Sequence, residues 1–314
     1  MSSMFTLITC CRGFPPLAVG CFGVLAFIAM PTTAQGQQPP FPFSDPQKMF
    51  EQFFGAALQE DRAELDKIEI SARDEAQLGE RASREYLAEL RRQGIKVVTR
   101  GDEVEYLRTL IDQVRPKMEH AARYKTIQVH VADSEETDAR SFPGGTLIFY
   151  RGLLEFAENE AALVGVIGHE LSHLDHGHQL FDAKRMKLMQ STFAGTNGFS
   201  PDQFFRNGQM LMRSFSKPFR PEDESEADDD GATWAYELGY DPREMANLFL
   251  RLHERDRGAK PGLPSFLLTH PYHLDRYEAL TERFQELQAT TPKDRLYIGT
   301  ENLARRVPRS VKEF

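Results

Sequence analysis

The stretch VIGHELSHLDHGH, residues 166–178, places four histidines and one glutamate directly after an apolar run. Within it, His169, Glu170 and His173 form the pattern HExxH. In an α-helix, residues four positions apart lie one above the other on the same face, so both imidazoles can reach one metal ion. The surrounding segment 158–178 has helical character, as this geometry requires. The sequence therefore predicts a helix that carries a metal site.

Zinc is the metal that this pattern favours. A zinc ion with three protein ligands keeps one position open and lowers the pKa of a bound water to about 7. Glu170 would accept the proton of the attacking water and pass it to the leaving amine. The alternative is a solvated helix that is merely rich in histidine. His176 and His178 fall outside the HExxH geometry and are expected at the surface or in supporting positions.

A third ligand is needed, and the residues alone leave it open. The pattern HExxHxxGxxH is not present, so a carboxylate from another helix is the alternative. Helical spacing cannot choose among the acidic residues of the segment 222–230, which are Glu222, Asp223, Glu224, Glu226, Asp228, Asp229 and Asp230.

Composition limits the class of protein. The chain has 314 residues, of which 40% are hydrophobic and 27% charged, as in ordinary folded proteins. The formal net charge is -9, and the basic residues are spread along the chain. Because phosphate binding requires clustered Lys and Arg, we expect no nucleic-acid partner.

The N-terminal segment differs from the rest. Residues 1–34 contain one charged side chain, Arg12, followed by the apolar segment 17–30 and small residues, which predicts a signal peptide cleaved after Ala34. The apolar segment is shorter than the about 20 residues that a membrane span needs. A retained anchor and a lipidated Cys21 are the alternatives. All three cysteines lie in this segment, so the mature chain would hold no disulfide and no Cys-ligated zinc.

The rest of the chain alternates helical patterns with two strand patterns. Residues 35–47 are predicted to be a linker rich in Pro and Gln. The segment 181–220, rich in Met and Phe, is either a groove or ordinary core. Helices are predicted around 50–58, 78–90 and 104–118, after Pro221, and from Pro242 to about Arg257, and strands at 126–132 and 146–150.

Several longer stretches resemble the M48 family of zinc metallopeptidases, and in particular its periplasmic branch. They are QLGERASREYLAEL (77–90), SFPGGTLIFYRGLLEFAENEAALVGVIGHELSHLDHGH (141–178), ESEADDDGATWAYELGYDP (224–242) and LLTHPYHLDR (267–276). The resemblance implies a mainly helical α+β fold, zincin-like, with a small mixed β-sheet. The metallopeptidase domain would comprise residues 48–290, followed by an extension, 291–314. No TPR-like repeat is found in the sequence.

The resemblance also implies roles for single residues. Glu224 matches the third zinc ligand, so that one Zn²⁺ per chain is held by His169, His173 and Glu224. Asp228 matches the aspartate that supports a zinc-ligating histidine. His270 matches a histidine on a loop near the zinc, which either gates the site or stabilises the transition state. Arg276 matches a family arginine expected to be structural.

A substrate-binding strand is implied as well. Gly145, Thr146, Leu147, Ile148 and Phe149 resemble the family's edge strand, which pairs with extended substrate backbone. The sequence departs from the family in the preceding stretch, DARSFPGG (138–145), where relatives often have Asn-Ala-Phe-Ala. This departure concerns the substrate contacts and leaves the zinc residues in place.

The expected function is that of a zinc-dependent endopeptidase, exported to the periplasm, that cuts unfolded or misassembled envelope proteins. Peripheral association with the membrane or with envelope assembly machinery is a further expectation, and the oligomeric state stays open. A second hypothesis is a latent, chaperone-like binding protein that retains zinc and is closed by His270. A zinc hydrolase acting on other bonds is disfavoured by the predicted edge strand.

Overall fold

One mixed sheet lies beside the helices in the computed structural model, which describes residues 64–65, 67–192, 218–258, 270 and 273–309. Its strands are β1 (Lys96–Val98), β2 (Gln128–Asp133), β3 (Ala139–Phe142) and β4 (Thr146–Tyr150). Their spatial order is β1-β2-β4-β3. β2 and β4 are parallel, whereas β1 pairs with β2 and β3 pairs with β4 in antiparallel fashion.

The strand predicted to be the edge strand is an inner strand. β4 pairs with β2 on one side and with β3 on the other, so the prediction for residues 145–149 is wrong. All five residues of β4 are buried, as is typical of a central strand. Within the described residues, β1 and β3 each have one unpaired side, and the polar sequence ARSF of β3 did not predict a strand.

Helices make up most of the described chain, which confirms the predicted α+β, mainly helical class. Short 3₁₀ helices occupy 115–117, 121–123 and 178–180. The α-helices are α1 (Ala72–Arg92), α2 (Asp102–Val114), α3 (Arg151–Phe156), α4 (Glu160–Asp175), α5 (Phe181–Thr192), α6 (Pro221–Glu237), α7 (Arg243–Gly258), α8 (His273–Thr290) and α9 (Thr300–Arg305).

The helix α4, which carries HExxH, lies at the centre of the fold, and every one of its residues is buried. Asn159 caps it, because its side-chain oxygen accepts a hydrogen bond of 2.9 Å from the Ala162 N–H. The N–H groups of Glu160 and Ala161 donate to the carbonyls of Gly299 and Ile298, at 3.2 and 2.9 Å. The C-terminal part of the chain therefore contacts this helix at two places: α6 lies along its side, and residues 298–299 lie at its first turn.

Several predictions concern residues that the structure does not describe. The signal peptide, the linker and the helix at 50–58 lie at residues 1–63, and residues 193–217 of the Met- and Phe-rich segment also lie outside the description. The boundaries of the predicted domains therefore stay predictions. Among the described helices, none combines the length and the apolar character needed to cross a membrane.

Candidate metal centre

Four buried side chains bring their nitrogen or oxygen atoms together beside α4. They are His169 and His173 from α4, Glu224 from α6, and His270, which precedes α8 in the chain. One potential ligand atom from each lies within 4.8 Å of all the others. The four side chains come from three separate stretches of sequence, so the cluster depends on the packing of the helices.

The two histidines of HExxH lie one turn apart, and their Nε2 atoms are 3.0 Å from each other. Glu224 faces both rings: its Oε2 lies 3.6 Å from His169 Nε2, and its Oε1 lies 3.7 Å from His173 Nε2. In the same acidic run, Glu222, Glu226 and Asp229 are exposed. The orientation of α6 thus brings Glu224, and with it Asp228 one turn later, to the HExxH motif.

Asp228 fixes the orientation of His169. Its Oδ1 lies 2.9 Å from His169 Nδ1, and because an ionised carboxylate can only accept, the imidazole donates through Nδ1. Arg276 holds the same carboxylate, with Nε and Nη2 each donating to Asp228 over 2.6 Å. The Arg276 guanidinium also lies over the Phe249 ring, 4.2 Å from its centroid. The neutral His169 is left with its Nε2 lone pair facing the cluster.

His178 performs the same task for His173. Its Nε2 lies 3.1 Å from Glu226 Oε2 and therefore donates to that carboxylate. The remaining nitrogen, Nδ1, then accepts from His173 Nδ1 over 2.8 Å. His173 also stacks on Phe219, with ring centroids 3.9 Å apart. Because His173 donates through Nδ1, its Nε2 carries the lone pair, and this lone pair also faces the cluster.

These tautomers test whether the residues fit a metal ion. Two imidazole lone pairs face each other over 3.0 Å, and a carboxylate faces both, in a site without solvent exposure. Lone pairs in this arrangement repel one another unless a cation lies between them. Arg276 Nη1 comes within 3.0 Å of Glu224 Oε2, but within the described ranges that oxygen accepts no hydrogen bond. The donor set therefore fits a cation that prefers nitrogen and carboxylate ligands.

The pKa values agree with this fit. Burial, helped by the positive charge of Arg276, lowers the pKa of His169 well below its ordinary value. Burial also lowers the pKa of His173 well below that value, and the pKa of His270 to about 3. All three imidazoles are thus neutral, as metal ligands must be. Burial raises the pKa of Glu224 well above its ordinary range, a cost of enclosing the anion that a bound cation offsets.

Glu170 lies next to the cluster, with its two oxygens in different surroundings. Oε2 accepts a hydrogen bond of 2.7 Å from the Ser141 hydroxyl. Oε1 is buried and has no hydrogen-bond partner among the described residues, and His270 Nε2 lies 3.4 Å from it. Burial raises the pKa of Glu170 to about 8, while the Ser141 hydrogen bond acts in the opposite direction. An enclosed carboxylate with one available oxygen can accept a proton from a nearby water.

The structure brings together every residue predicted for the metal, the base and the support of the ligands. His178, expected at the surface or in a supporting position, contacts His173. Ser141 and Gln179 also contact the site, and the sequence patterns did not single them out. For His178, the signal was its place in the histidine-rich stretch beyond the motif. For Ser141, the signal was its place in the stretch that departs from the family pattern.

Comparisons with known proteins agree with this geometry. Residues 103–284 match the model of peptidase family M48. The beta-barrel assembly-enhancing protease of Yersinia pestis is 26% identical over 176 residues, which are 51% of this chain and 35% of that protein. Its counterpart in Escherichia coli strain K12 is 27% identical over 184 residues, 54% of this chain and 37% of the relative.

A mitochondrial relative is similar over a comparable length. The metalloendopeptidase OMA1 of Danio rerio is 25% identical over 169 residues, which cover 50% of this chain and 35% of that protein. The chain therefore matches only about a third of the length of these relatives. The range matched by the family model contains HExxH and the acidic helix α6.

Proposed function

The chain belongs to peptidase family M48, and on that premise we propose that it is a zinc-dependent endopeptidase that hydrolyses peptide bonds of proteins. One observation carries the proposal: the ligand atoms of His169, His173 and Glu224 converge beside Glu170, whose buried Oε1 accepts no hydrogen bond from the part of the chain that the structure describes. This is the combination that metal-assisted hydrolysis requires.

His169, His173 and Glu224 would hold one Zn²⁺ per chain. A zinc ion bound there supplies a Lewis acid and an open position for a water, whose pKa it lowers to about 7. Asp228 and Arg276 keep His169 in the tautomer that presents Nε2. The ligands are neutral imidazoles and one carboxylate, the same kinds of group as in the His₂Glu sites of other zinc peptidases.

Glu170 is the general base of the proposed reaction. Its Oε1 accepts a proton from the attacking water, and the same oxygen then gives the proton to the amine nitrogen as the peptide bond breaks. The oxygen is suited to this exchange because no hydrogen bond from the described residues occupies it. Burial excludes bulk water from the carboxylate, so the proton is transferred within the site.

Extended peptide is the substrate that the sheet favours. β3 has one side unpaired within the described residues, and its Ser141 touches the base. Pairing of a peptide with this side would use backbone hydrogen bonds and would select little for sequence. We infer unfolded or misassembled envelope proteins as substrates and a periplasmic location, because two relatives are named beta-barrel assembly-enhancing proteases and the N-terminal sequence predicts export.

A second candidate function has an observation of its own. His270 Nδ1 lies 2.9 Å from Glu224 Oε1 and 3.1 Å from His169 Nε2, so this imidazole faces the ligand atoms themselves. A histidine in this place favours a latent form of the site, in which the protein binds chains and cleaves only after His270 moves. The alternative role of His270, stabilising the transition state, requires the same proximity.

The proposed function is tested with the full chain loaded with zinc. Digestion of an unfolded protein is compared for the parent and Glu170→Gln, and the zinc content of both is measured. We expect the parent to cut, and Glu170→Gln to keep zinc and not cut. If neither protein cuts while both hold zinc, His270→Ala distinguishes a latent peptidase, which this change activates, from a binding protein. A parent that holds no zinc contradicts the proposal.

A further inference from the structure

The carboxylate of Glu170 is held on one side only. Ser141 Oγ donates to its Oε2 over 2.7 Å, and Oε1 lacks a hydrogen-bond partner among the described residues. Glu170 is 1% exposed, so water does not compete for Oε2. A free carboxylate group turns about its last bond and exchanges its two oxygens. The Ser141 hydroxyl opposes that rotation, because turning would break the hydrogen bond to Oε2.

Gln179 determines which atom Ser141 donates to. Gln179 Nε2 lies 3.3 Å from the Ser141 carbonyl oxygen, which can only accept, so the amide presents its NH₂ group. The same NH₂ group donates to Ser141 Oγ over 2.6 Å. The hydroxyl has one hydrogen, and with an incoming hydrogen bond from Gln179 that hydrogen is directed at Oε2 of Glu170. Gln179 thus donates to Ser141, and Ser141 donates to Glu170.

The backbone fixes the positions of Ser141 and Gln179. Ser141 lies on β3 opposite the fully buried Leu147 of β4. Gln179 lies in the 3₁₀ helix 178–180, which follows Gly177, a residue with a left-handed φ of 67°. The adjacent residues of that turn contact the two halves of the site: His178 contacts the proposed ligand His173, and Gln179 reaches the proposed base through Ser141.

We propose that Ser141, oriented by Gln179, is a positioning residue that holds Oε2 of Glu170 and thereby presents Oε1 to the attacking water. The inference rests on the proposed function of Glu170. Ser141 and Gln179 act through Glu170 and need no contact with the substrate.

The test compares kcat, KM, zinc content and Tm of the zinc-loaded full chain. For Ser141→Ala we expect kcat to fall roughly tenfold to a hundredfold, as misplacement of a catalytic group does, with KM within about twofold of the parent. Ser141→Thr keeps the hydroxyl and should recover most of kcat. Gln179→Leu should reduce kcat less than Ser141→Ala. Ser83→Ala is the matched control, because Ser83 is buried and donates to the Glu80 carbonyl instead.

A double substitution separates positioning from general damage. In the Glu170→Gln background, Ser141→Ala should cause no further loss, because its effect passes through Glu170. The proposal is overturned if Ser141→Ala keeps kcat within about twofold, or if its loss matches a loss of zinc. If the Tm of Ser141→Ala lies well below that of Ser83→Ala, the Gln179→Leu variant provides the test instead. In that case an unchanged kcat of Gln179→Leu overturns the proposal.

A spectroscopic measurement covers the case in which the parent does not cut, which would be a failure of the proposed function. The carboxylate stretching band of Glu170 is obtained as the infrared difference between the parent and Glu170→Gln. Loss of a hydrogen bond to one oxygen changes this band, so Ser141→Ala should shift it and Ser83→Ala should not. An unshifted band in Ser141→Ala overturns the positioning role whatever the activity is.

Discussion

Gly168 of α4 and Gly231 of α6 face each other where the two helices cross, and a Cβ added to Gly168 would lie 2.8 Å from the Gly231 Cα. A Cβ added to Gly231 would lie 2.7 Å from the Gly165 carbonyl oxygen and 3.0 Å from the His169 nitrogen. The absence of side chains at this crossing lets the backbones touch. The distance between the HExxH motif and Glu224 is therefore set by two glycines.

Gly231→Ala should destabilise the protein and weaken zinc binding together. The added methyl group meets backbone on α4, so the helices must separate, at a cost of about 1–3 kcal/mol as for other overpacked cores. Their separation moves Glu224 and Asp228 away from the histidines. Urea unfolding and a zinc competition titration measure the two effects. Ser225→Ala, at an exposed position of α6, is the control, and equal zinc affinity in both variants would contradict this account.

Asp228→Asn should lower zinc affinity by roughly tenfold to a hundredfold, as loss of such a supporting carboxylate typically does. The amide is a poorer acceptor for His169 Nδ1, and it removes one of the two carboxylates that face the buried Arg276. A competition titration with a chelator checks the change. Asp229→Asn alters the next residue, which is exposed and pairs with Arg283, and should leave the affinity as it is.

His178→Phe should weaken zinc binding more than His178→Gln. Phenylalanine removes the acceptor for His173 Nδ1, whereas glutamine keeps an oxygen that can accept from it. Without the acceptor, His173 loses the preference for the tautomer that presents Nε2. Zinc affinity is again the readout. His176→Gln removes the neighbouring histidine, which bonds to Asp230, and an effect there as large as in His178→Phe would refute the specific role of His178.

The stability of the protein should depend on pH through Glu160. Burial raises the pKa of Glu160, against the hydrogen bonds from Tyr240, the Arg309 N–H and Tyr106. A carboxyl whose folded pKa lies above its unfolded value of about 4.3 contributes stability below that value, and this contribution is lost as pH rises through the folded pKa.

Glu160→Gln removes this titration. The difference in unfolding free energy, parent minus Glu160→Gln, should therefore fall as pH rises above about 4.3 and level off once the pH exceeds the folded pKa. Urea unfolding at a series of pH values measures it. Glu158→Gln changes an exposed neighbour and supplies the control, and a difference that rises with pH would reverse the sign argued here.

The sequence was sufficient where the chemistry is local. His169 and His173 belong to one helix, so their spacing predicts their shared face before any packing is known. Glu224 is different: its choice among the acidic residues of α6 depends on how that helix turns toward α4. Helical spacing alone cannot determine this orientation, and only the family resemblance singled the residue out. The glycine contact that sets it, Gly168 against Gly231, joins two distant segments.

The sheet shows the same limit. The apolar run TLIFY predicts a strand, and its continuous burial is typical of an inner strand, but the resemblance suggested an edge. β3 went unrecognised because its Arg140 and Ser141 interrupt any apolar pattern. The hydroxyl of Ser141 donates to Glu170. The polar residue that kept the strand from being predicted is therefore one that contacts the site.

The cap on α4 formed by residues 298–299 has a consequence for the order of folding. Glu160 Oε1 also accepts from the Arg309 N–H, a contact between residues 149 positions apart in the chain. The helical turns that carry residues 169–173 form within microseconds, because helix formation is local. The contacts of the first turn of α4 form only after residues 298–309 reach it, and closing so long a segment of chain is a slow, non-local step. In refolding experiments, zinc-binding capacity should therefore appear with the slowest phase, well after most of the helical signal.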